Sequence, residues 1–213
     1  MDLADAKKAL SKALKDKSLP KIKEILTENP EVILGTDTSN NQYLLKFIKA
    51  NEGIAKYGID VFIKNGGDVN QRDSWNQTVL MQALSSGKNR IVQLLLDEGA
   101  DVNVIGSNNN LSTLQWALNG KNRTDLVKML FKTNPNLDVT HSDSRGDTAL
   151  HLALAQSNFE VAKILLDKGA DPDVTNRKGE KVWYYGSKEK NKKFLEDYIS
   201  RKKLGSFGKF LDL

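Results

Sequence analysis

Cysteine is absent from this sequence, and histidine occurs only twice in 213 residues. The absence of cysteine excludes disulfide bonds and thiolate metal sites, and it suits a reducing compartment. Catalysis by a metal or a nucleophile requires a cluster of reactive side chains, which two histidines do not supply. Acidic residues are spread over predicted helix ends and turns. The composition therefore favours a protein that is not an enzyme and that holds no metal or cofactor.

Long apolar runs are also missing. No stretch approaches the roughly twenty apolar residues of a membrane span, and the first residues lack an export signal. We therefore expect no membrane span and a cytoplasmic location, either in the cell of origin or after delivery into a host. A periplasmic location is the alternative if a signal peptide has been removed. With 39% hydrophobic and 28% charged residues, the chain is predicted to form one ordered, elongated domain.

What the chain does contain is a repeated pattern. Six-residue segments that open with Thr or Ser and continue with apolar residues recur at 78–83, 112–117 and 148–153. Turn signals begin at Gly66, Gly99, Asn134 and Gly169, which are separated by 33, 35 and 35 positions. A fixed period of this length is typical of a stacked repeat protein.

Residues 141–173 give the clearest copy of the unit. Thr148 can cap a short helix, and the spacing of Val161, Ile164 and Leu165 fits the apolar face of a second, antiparallel helix. Gly169 stands where a left-handed residue would end that helix. Two such short helices cannot bury enough surface alone, so the unit must stack on its copies.

The period, the six-residue opening and the Gly-Ala-Asp-Val-Asn turn resemble the ankyrin repeat. The resemblance covers roughly residues 36–200, and it implies an all-α solenoid of antiparallel helix pairs joined by β-hairpin-like turns. About six repeats including caps are expected. Val79, Thr113 and Ala149 stand where the family pattern has proline, only His151 keeps its histidine, and Asn134 and Pro135 replace Gly-Ala in one turn.

The predicted domain is single. Residues 1–35 are predicted to form an N-terminal capping repeat, because the helix pair lacks the six-residue opening. In residues 36–70 the connection between helices, near residues 50–53, is expected to absorb about three additional residues. The predicted boundaries are 36–70, 71–105, 106–140 and 141–175 for the repeats, 176–203 for a C-terminal capping repeat and 204–213 for an apolar tail.

The resemblance also implies a partner-binding surface, the concave face formed by hairpin tips and first helices. Trp75 is the sharpest candidate there, because a large aromatic in a polar tip can anchor an interface; the alternative is that it folds back on the neighbouring hairpin. Trp116 and Trp183 are predicted to lie in the core. The predicted contact residues are Ser39, Asn40, Ser74, Trp75, Ser85, Ser86, Asn108, Asn109, Asn119, Ser144, Arg145, Gln156, Arg177 and Lys178.

The two histidines have ordinary alternatives to catalysis. The resemblance implies a structural role for His151, which would form hydrogen bonds around the turn. His141 is expected in an exposed hairpin, although a dyad with Asp143 is conceivable. We therefore predict a non-catalytic protein-interaction module, monomeric alone, that acts as an adaptor, inhibitor or effector. The alternatives are an immunity or antitoxin protein that occludes a toxin enzyme and, more remotely, an enzyme or modifying effector.

Positive charge is concentrated at the C-terminal end, and it could meet an acidic protein, an acidic lipid surface or nucleic acid, or remain a solvated cap. Nucleic acid is the least favoured, because no aromatic platform is evident beside a basic stripe of tips. In the tail, glycines disfavour a rigid helix. Phe207, Phe210 and Leu211 are predicted to dock on the last repeat or on a partner, since a disordered tail is normally polar.

Overall fold

The structure is a computed structural model that describes residues 1–34, 42–73, 75–120 and 123–208, except the side chains of residues 42, 43 and 203–208. These residues form α-helices connected by short turns, with a single 3-10 turn over Pro30–Ile33. The helices are α1 (Leu3–Lys15), α2 (Leu19–Glu28), α3 (Gln42–Lys49), α4 (Glu52–Lys64), α5 (Val79–Ser85), α6 (Asn89–Asp97), α7 (Thr113–Asn119), α8 (Arg123–Thr133), α9 (Ala149–Ala155), α10 (Phe159–Asp167) and α11 (Lys188–Gly208).

The helices form two stacked layers. In one layer α3, α5, α7 and α9 contact their neighbours in order, and in the other α2, α4, α6, α8 and α10 do the same. Within a repeat, the two helices pack on each other and are joined by a short connection, so they run antiparallel. The predicted all-α solenoid of helix pairs is confirmed. Among the described residues, no helix is both long enough and apolar enough to cross a membrane.

Local sequence explains where the first helices begin. Ser112 and Gln115 form a reciprocal capping box at the start of α7, in which each side chain accepts a hydrogen bond from the backbone amide of the other. The Thr78 hydroxyl accepts a hydrogen bond from the amide of Met81 in the same way, and Thr148 occupies the N-cap of α9. The Thr or Ser that opens each six-residue segment therefore sets the start of its helix.

Hairpin-like turns connect successive helix pairs. Each is closed by one isolated antiparallel bridge, at Arg72 and Thr78, Ile105 and Ser112, Ser142 and Thr148, and Thr175 and Lys181. The tips require left-handed backbone, which Gly146 and Gly179 supply with φ of 82° and 75°, and which Asn109 and Asn110 adopt in the longer second hairpin. The turns are thus β-hairpin-like, as the resemblance implied.

The core is a continuous apolar layer between the two sets of helices. Its fully buried side chains include Leu10, Ile22, Phe47, Phe62, Leu80 and Leu84, and it continues through Leu150 and Leu165 to Val182 and Leu195. Each helix pair contributes one apolar stripe from each helix, so no repeat has a core of its own. Stability therefore depends on stacking.

Two details differ from the sequence-based expectation. The connection between α3 and α4 is only two residues long, and the additional residues lengthen α4 to 13 residues, against 9 in α6 and α10. Extending a helix satisfies every added backbone group internally, which a longer loop would not do.

The C-terminal unit also differs, because residues 182–187 form turns and only α11 is helical. α11 continues to Gly208, past the predicted boundary at residue 203, because each glycine lowers helix propensity by only about 1 kcal/mol. The expected docking of Phe207, Phe210 and Leu211 concerns side chains outside the described part of the chain.

Candidate functional site

The hairpin tips form a row that is joined through the backbone. We use the name hairpin face for the exposed residues of the hairpins at 72–78, 105–112, 142–148 and 175–181. Three backbone hydrogen bonds link neighbouring tips, from Ser107 N to Trp75 O (2.9 Å), from Ser144 N to Asn109 O (2.9 Å) and from Arg177 N to Arg145 O (3.0 Å). The row is therefore one surface whose tips are connected through the backbone.

In three of the four tips, an Asp or Asn side chain points inward and closes the turn. Asp73 Oδ1 accepts hydrogen bonds from the amides of Trp75 and Gln77, both at 2.9 Å. Asp143 accepts from Arg145 at 2.8 Å and from Asp147 at 2.9 Å, and Asn176 closes the last hairpin in the same way. The acidic groups at the tips are thus structural, and the side chains that follow them face solvent.

A buried polar network joins the last two hairpins. Asp143 and Asp147 are only 2% and 3% exposed, and the Arg145 guanidinium lies 3.3 Å from both carboxylates. The Asn176 side-chain amide donates to Asp147 at 2.9 Å and to Glu180 at 2.9 Å. These bonds compensate the acidic groups for the loss of water.

Glu180 and Tyr185 form the outer end of that network. Hydrogen bonds from Asn176 and from the Tyr185 hydroxyl lower the pKa of the Glu180 carboxyl. The same bond to Glu180, together with burial, raises the pKa of Tyr185. The carboxylate is therefore stabilised in its charged form and is poorly suited to act as a general acid near neutral pH.

The histidines bridge backbone segments. The amide of Thr148 donates to His151 Nδ1 at 3.1 Å, and His151 Nε2 lies 3.3 Å from the carbonyl oxygen of Glu180. Burial lowers the pKa of His151. His141 is half-buried, and its Nε2 lies 2.7 Å from the carbonyl oxygen of Asn110 in the neighbouring hairpin. Both rings are used in holding turns together, and Asp143 serves its own hairpin.

The predicted contact residues are distributed as follows. Trp75, Ser86, Asn108, Asn109, Asn119, Ser144, Arg145, Arg177 and Lys178 are exposed, and Ser85 and Gln156 are half-buried. Ser39, Asn40 and Ser74 lie outside the described residues. Gln156 also has a structural bond, because its side-chain amide donates to the Leu118 carbonyl of the preceding repeat at 3.1 Å.

Trp75 is the most exposed large apolar side chain of the described chain, at 63%. Its amide and its carbonyl are both held by hydrogen bonds, so the position of the ring is set by a fixed backbone. The neighbouring hairpin presents Ile105, which is 40% exposed and whose carbonyl accepts a 2.7 Å bond from Asn76. Ile105 was not among the predicted contact residues, and only its place beside the asparagine-rich tip could have indicated it.

The predicted core positions of the other tryptophans hold in part. Trp183 is half-buried and packs against the core, and Trp116 is half-buried with its Nε1 lying without a hydrogen-bond partner. Sequence reasoning missed a cluster at the C-terminal end, where Lys188 Nζ lies 3.9 Å from the ring centroid of Tyr184 and Lys192 Nζ lies 4.2 Å from that of Trp183. These lysines lie beside the two rings because α11 begins at Lys188.

Within residues 1–34, 42–73, 75–120 and 123–208, no group of three or more His, Asp or Glu side chains is placed to hold a metal ion. The polar clusters described above are instead saturated with hydrogen bonds to turns.

A family model described as ankyrin repeats in three copies matches the chain over residues 10–106, 47–143 and 105–176. The chain belongs to the ankyrin-repeat family. Ankyrin repeats are in general protein–protein interaction modules, and the six-residue openings and hairpins described above are the family's own elements. The hairpin face of this ankyrin protein is therefore its candidate functional site.

Three curated relatives each match part of this chain. The chain is 34% identical over 130 residues to the CAP-Gly domain-containing linker protein 3 of Mus musculus, covering 55% of this chain and 24% of the relative. It is 28% identical over 119 residues to an ankyrin repeat protein of Fowlpox virus, and this match covers 56% of this chain and 27% of the relative. It is also 28% identical over 134 residues to ZDHHC13 of Danio rerio, whose name describes it as a palmitoyltransferase. That match covers 62% of this chain and 20% of the relative. The chain spans about a quarter of their length or less.

Proposed function

We propose that this ankyrin protein is a non-catalytic interaction module that binds a partner protein through its hairpin face, as an adaptor, inhibitor or effector. The observation that carries the proposal is the hairpin row itself. Its backbone is joined from tip to tip, its carboxylates are turned inward, and its outward side chains include the 63% exposed Trp75. Such a surface is pre-organised for contact, so binding costs little ordering entropy.

Trp75 is proposed as the central anchor. Interface energy is typically dominated by a few residues, among which tryptophan and arginine are enriched. Trp75 and Ile105 together provide apolar area, and Arg145 and Arg177 extend the same row with exposed cations. An aromatic ring held on a fixed tip can fill a pocket of the partner without first losing backbone freedom.

The polar chemistry of the face supports a non-catalytic role. His151, Asp143, Asp147 and Glu180 each serve a turn or a neighbouring hairpin, so no described group combines freedom to transfer a proton with an open pocket. Because the match spans only 20% of ZDHHC13, the activity in that protein's name is not transferred to this chain. An immunity protein that occludes a toxin enzyme remains a special case of the same surface.

The proposal is tested by replacing Trp75. We expect Trp75→Ala to weaken partner binding by about 2 kcal/mol, which is about thirtyfold in Kd, because a buried anchor is lost. The partner is first captured from native lysate and identified by mass spectrometry, and its affinity is then measured by calorimetry. The thermal midpoint of the variant should stay close to that of the parent, because the ring is largely in water.

Leu3→Ala is the matched control, because Leu3 is 37% exposed on the N-terminal cap, away from the hairpins. It should leave partner affinity unchanged. Unchanged affinity in Trp75→Ala would contradict the anchor role. A lowered thermal midpoint with intact binding would show in addition that Trp75 is structural.

A further inference from the structure

Charge is distributed unevenly along the chain. Residues 176–203 contain ten Lys and Arg against four Asp and Glu, a net charge of +6, whereas the whole chain carries +5, so that everything else sums to −1. The basic character of the molecule thus belongs to its C-terminal unit, which comprises the last hairpin and α11. A localised charge of this size indicates a preference for an anionic partner at that end.

Four cations of this unit are exposed, two in the last hairpin and two on α11. We name Arg177, Lys178, Lys188 and Lys192 the cap cluster. Among the described residues, no carboxylate forms an ion pair with any of the four. Their positive charge is consequently available to a partner.

Two acidic groups, Glu180 and Asp173, already have partners. Glu180 binds Asn176 and Tyr185, and Asp173 lies 3.3 Å from Lys181. Glu189, in the first turn of α11, is the exposed acidic residue closest in sequence to Lys188. Hydrogen bonds hold Glu180 in its charged form inside its own hairpin, where it attracts Lys178 electrostatically without forming an ion pair with it.

Two members of the cluster are held in position by aromatic rings. Lys188 Nζ lies over Tyr184 and Lys192 Nζ over Trp183, at 3.9 and 4.2 Å from the ring centroids. Residues four apart on a helix share one side, so both ammonium groups project from the same side of α11. Such cation–π contacts restrain long side chains that would otherwise lose entropy on binding.

Two members of the cap cluster, Arg177 and Lys178, belong to the hairpin face itself. The amide of Arg177 donates to the Arg145 carbonyl, which places the last tip in line with the row that begins at Trp75. A partner segment that lies along the tips therefore meets apolar side chains at one end and cations at the other.

We propose that the cap cluster binds an acidic segment of the partner protein, while Trp75 and Ile105 contact an apolar side chain of the same partner. This inference rests on the proposed function and specifies the chemistry of the partner. An acidic polypeptide fits better than a single-stranded nucleic acid, because lysines already occupy faces of Tyr184 and Trp183 on which bases would stack. It fits better than a lipid surface because Arg177, at the hairpin end of the cluster, is hydrogen-bonded into the row of tips that we propose as the protein-binding surface.

The experiment uses the full chain and a fluorescein-labelled deca-glutamate peptide, with binding followed by fluorescence anisotropy at low and moderate salt. Arg177→Gln/Lys178→Gln and Lys188→Gln/Lys192→Gln each remove two charges from the cluster. Lys12→Gln/Lys15→Gln is the matched control, because it removes two exposed charges from α1 at the opposite end. We expect each cluster variant to bind about fivefold more weakly at low salt, and the control to bind as the parent does.

Three results would overturn the inference. The control could lose as much affinity as the cluster variants, which would mean that only net charge matters. The parent could bind deca-thymidylate, or vesicles of phosphatidylcholine with phosphatidylserine, more tightly than the peptide, which would identify nucleic acid or membrane as the partner class. The captured partner could bind both cluster variants as tightly as it binds the parent.

The last result leaves the proposed function standing if Trp75→Ala still loses the partner. Conversely, unaltered partner binding by Trp75→Ala contradicts the anchor role of Trp75, whether or not the cluster variants bind the deca-glutamate peptide more weakly. Thermal midpoints of all variants, measured by circular dichroism, establish that each is folded before its binding is compared.

Discussion

At the scale of single residues, the hydrogen bonds of His151 require the neutral form of its imidazole ring. The Thr148 amide donates to Nδ1, so Nδ1 must offer a lone pair, and the proton of the neutral ring lies on Nε2, which faces the Glu180 carbonyl. The ring is 1% exposed, and burial lowers its pKa below the ordinary value of 6.5. Protonation of Nδ1 would place two donors against each other at the start of α9.

The stability of the fold should therefore decrease in mild acid. Between the lowered pKa of folded His151 and the unfolded value of 6.5, the unfolded chain binds more protons, so the free energy of unfolding falls as pH drops through this window. Urea unfolding at about pH 7.5 and about pH 5.5 measures the difference. His151→Gln should reduce that difference, and His141→Gln should retain it. An equal loss in both variants would assign the effect to other groups.

At the scale of elements, the sequence predicts the helix pairs well because their signals are local. Capping residues such as Thr78 and Ser112, apolar spacing and the glycine at the end of α10 all act within a few residues. The missing helix before α11 could not be predicted in this way. Gly186 has φ of 67°, and the Asn191 side-chain amide donates to the carbonyl oxygens of Tyr185 and, in the preceding repeat, Leu154. A left-handed residue and a tertiary contact therefore replace the helix there.

The candidate site could likewise be predicted from the sequence only in part. The tip residues follow from the repeat period, which is why Trp75, Arg145 and Arg177 could be named from sequence alone. Exposure depends on packing between repeats, so Ile105 and the half-buried Trp116 required the structure. The cap cluster required it as well, because the lysine–aromatic contacts exist only once α11 begins at Lys188.

The long α4 offers a test of packing between paired helices. A Cβ atom added at Gly58 would lie 2.1 Å from Cδ1 of the buried Phe47 in α3. We expect Gly58→Ala to lower the free energy of unfolding by about 2 kcal/mol, because overpacking outweighs the better helix propensity of alanine. Chemical denaturation followed by circular dichroism measures this.

Gly53→Ala is the corresponding control in the first turn of α4. An added Cβ there meets only Asn51 Oδ1, at 3.7 Å. This variant should be as stable as the parent or more stable by up to about 1 kcal/mol. A Gly58→Ala protein that also gains stability would mean that α3 and α4 are less tightly packed than the structure shows.

At the scale of the whole molecule, two independent systems connect the repeats. Stacked helices bury the apolar layer, and the backbone bonds from Trp75 to Ser107, Asn109 to Ser144 and Arg145 to Arg177 join the tips. A solenoid of this kind is stabilised by each interface between neighbouring repeats. A hydrogen bond between two tips should therefore persist as long as the repeats that carry them remain stacked.

Hydrogen exchange can test whether the tips behave as one connected row. The amides of Ser107, Ser144 and Arg177 should exchange slowly although their hairpins lie at the surface, because each is bonded to the preceding repeat. The amide of Asn108, which has no backbone acceptor among the described residues, should exchange fast. NMR-detected exchange resolves the individual amides. Equally fast exchange at all four positions would show that the tips open independently.

The backbone bonding of the tips has a further consequence for how this protein can change over time. Trp75 contributes its amide and its carbonyl to the fold, whereas its side chain lies outside the apolar core and is largely exposed. Any residue except proline can make the same two bonds. Recognition and stability are therefore encoded by different atoms of the same residues. New binding specificities can arise at the tips by single substitutions, without compensating changes in the scaffold.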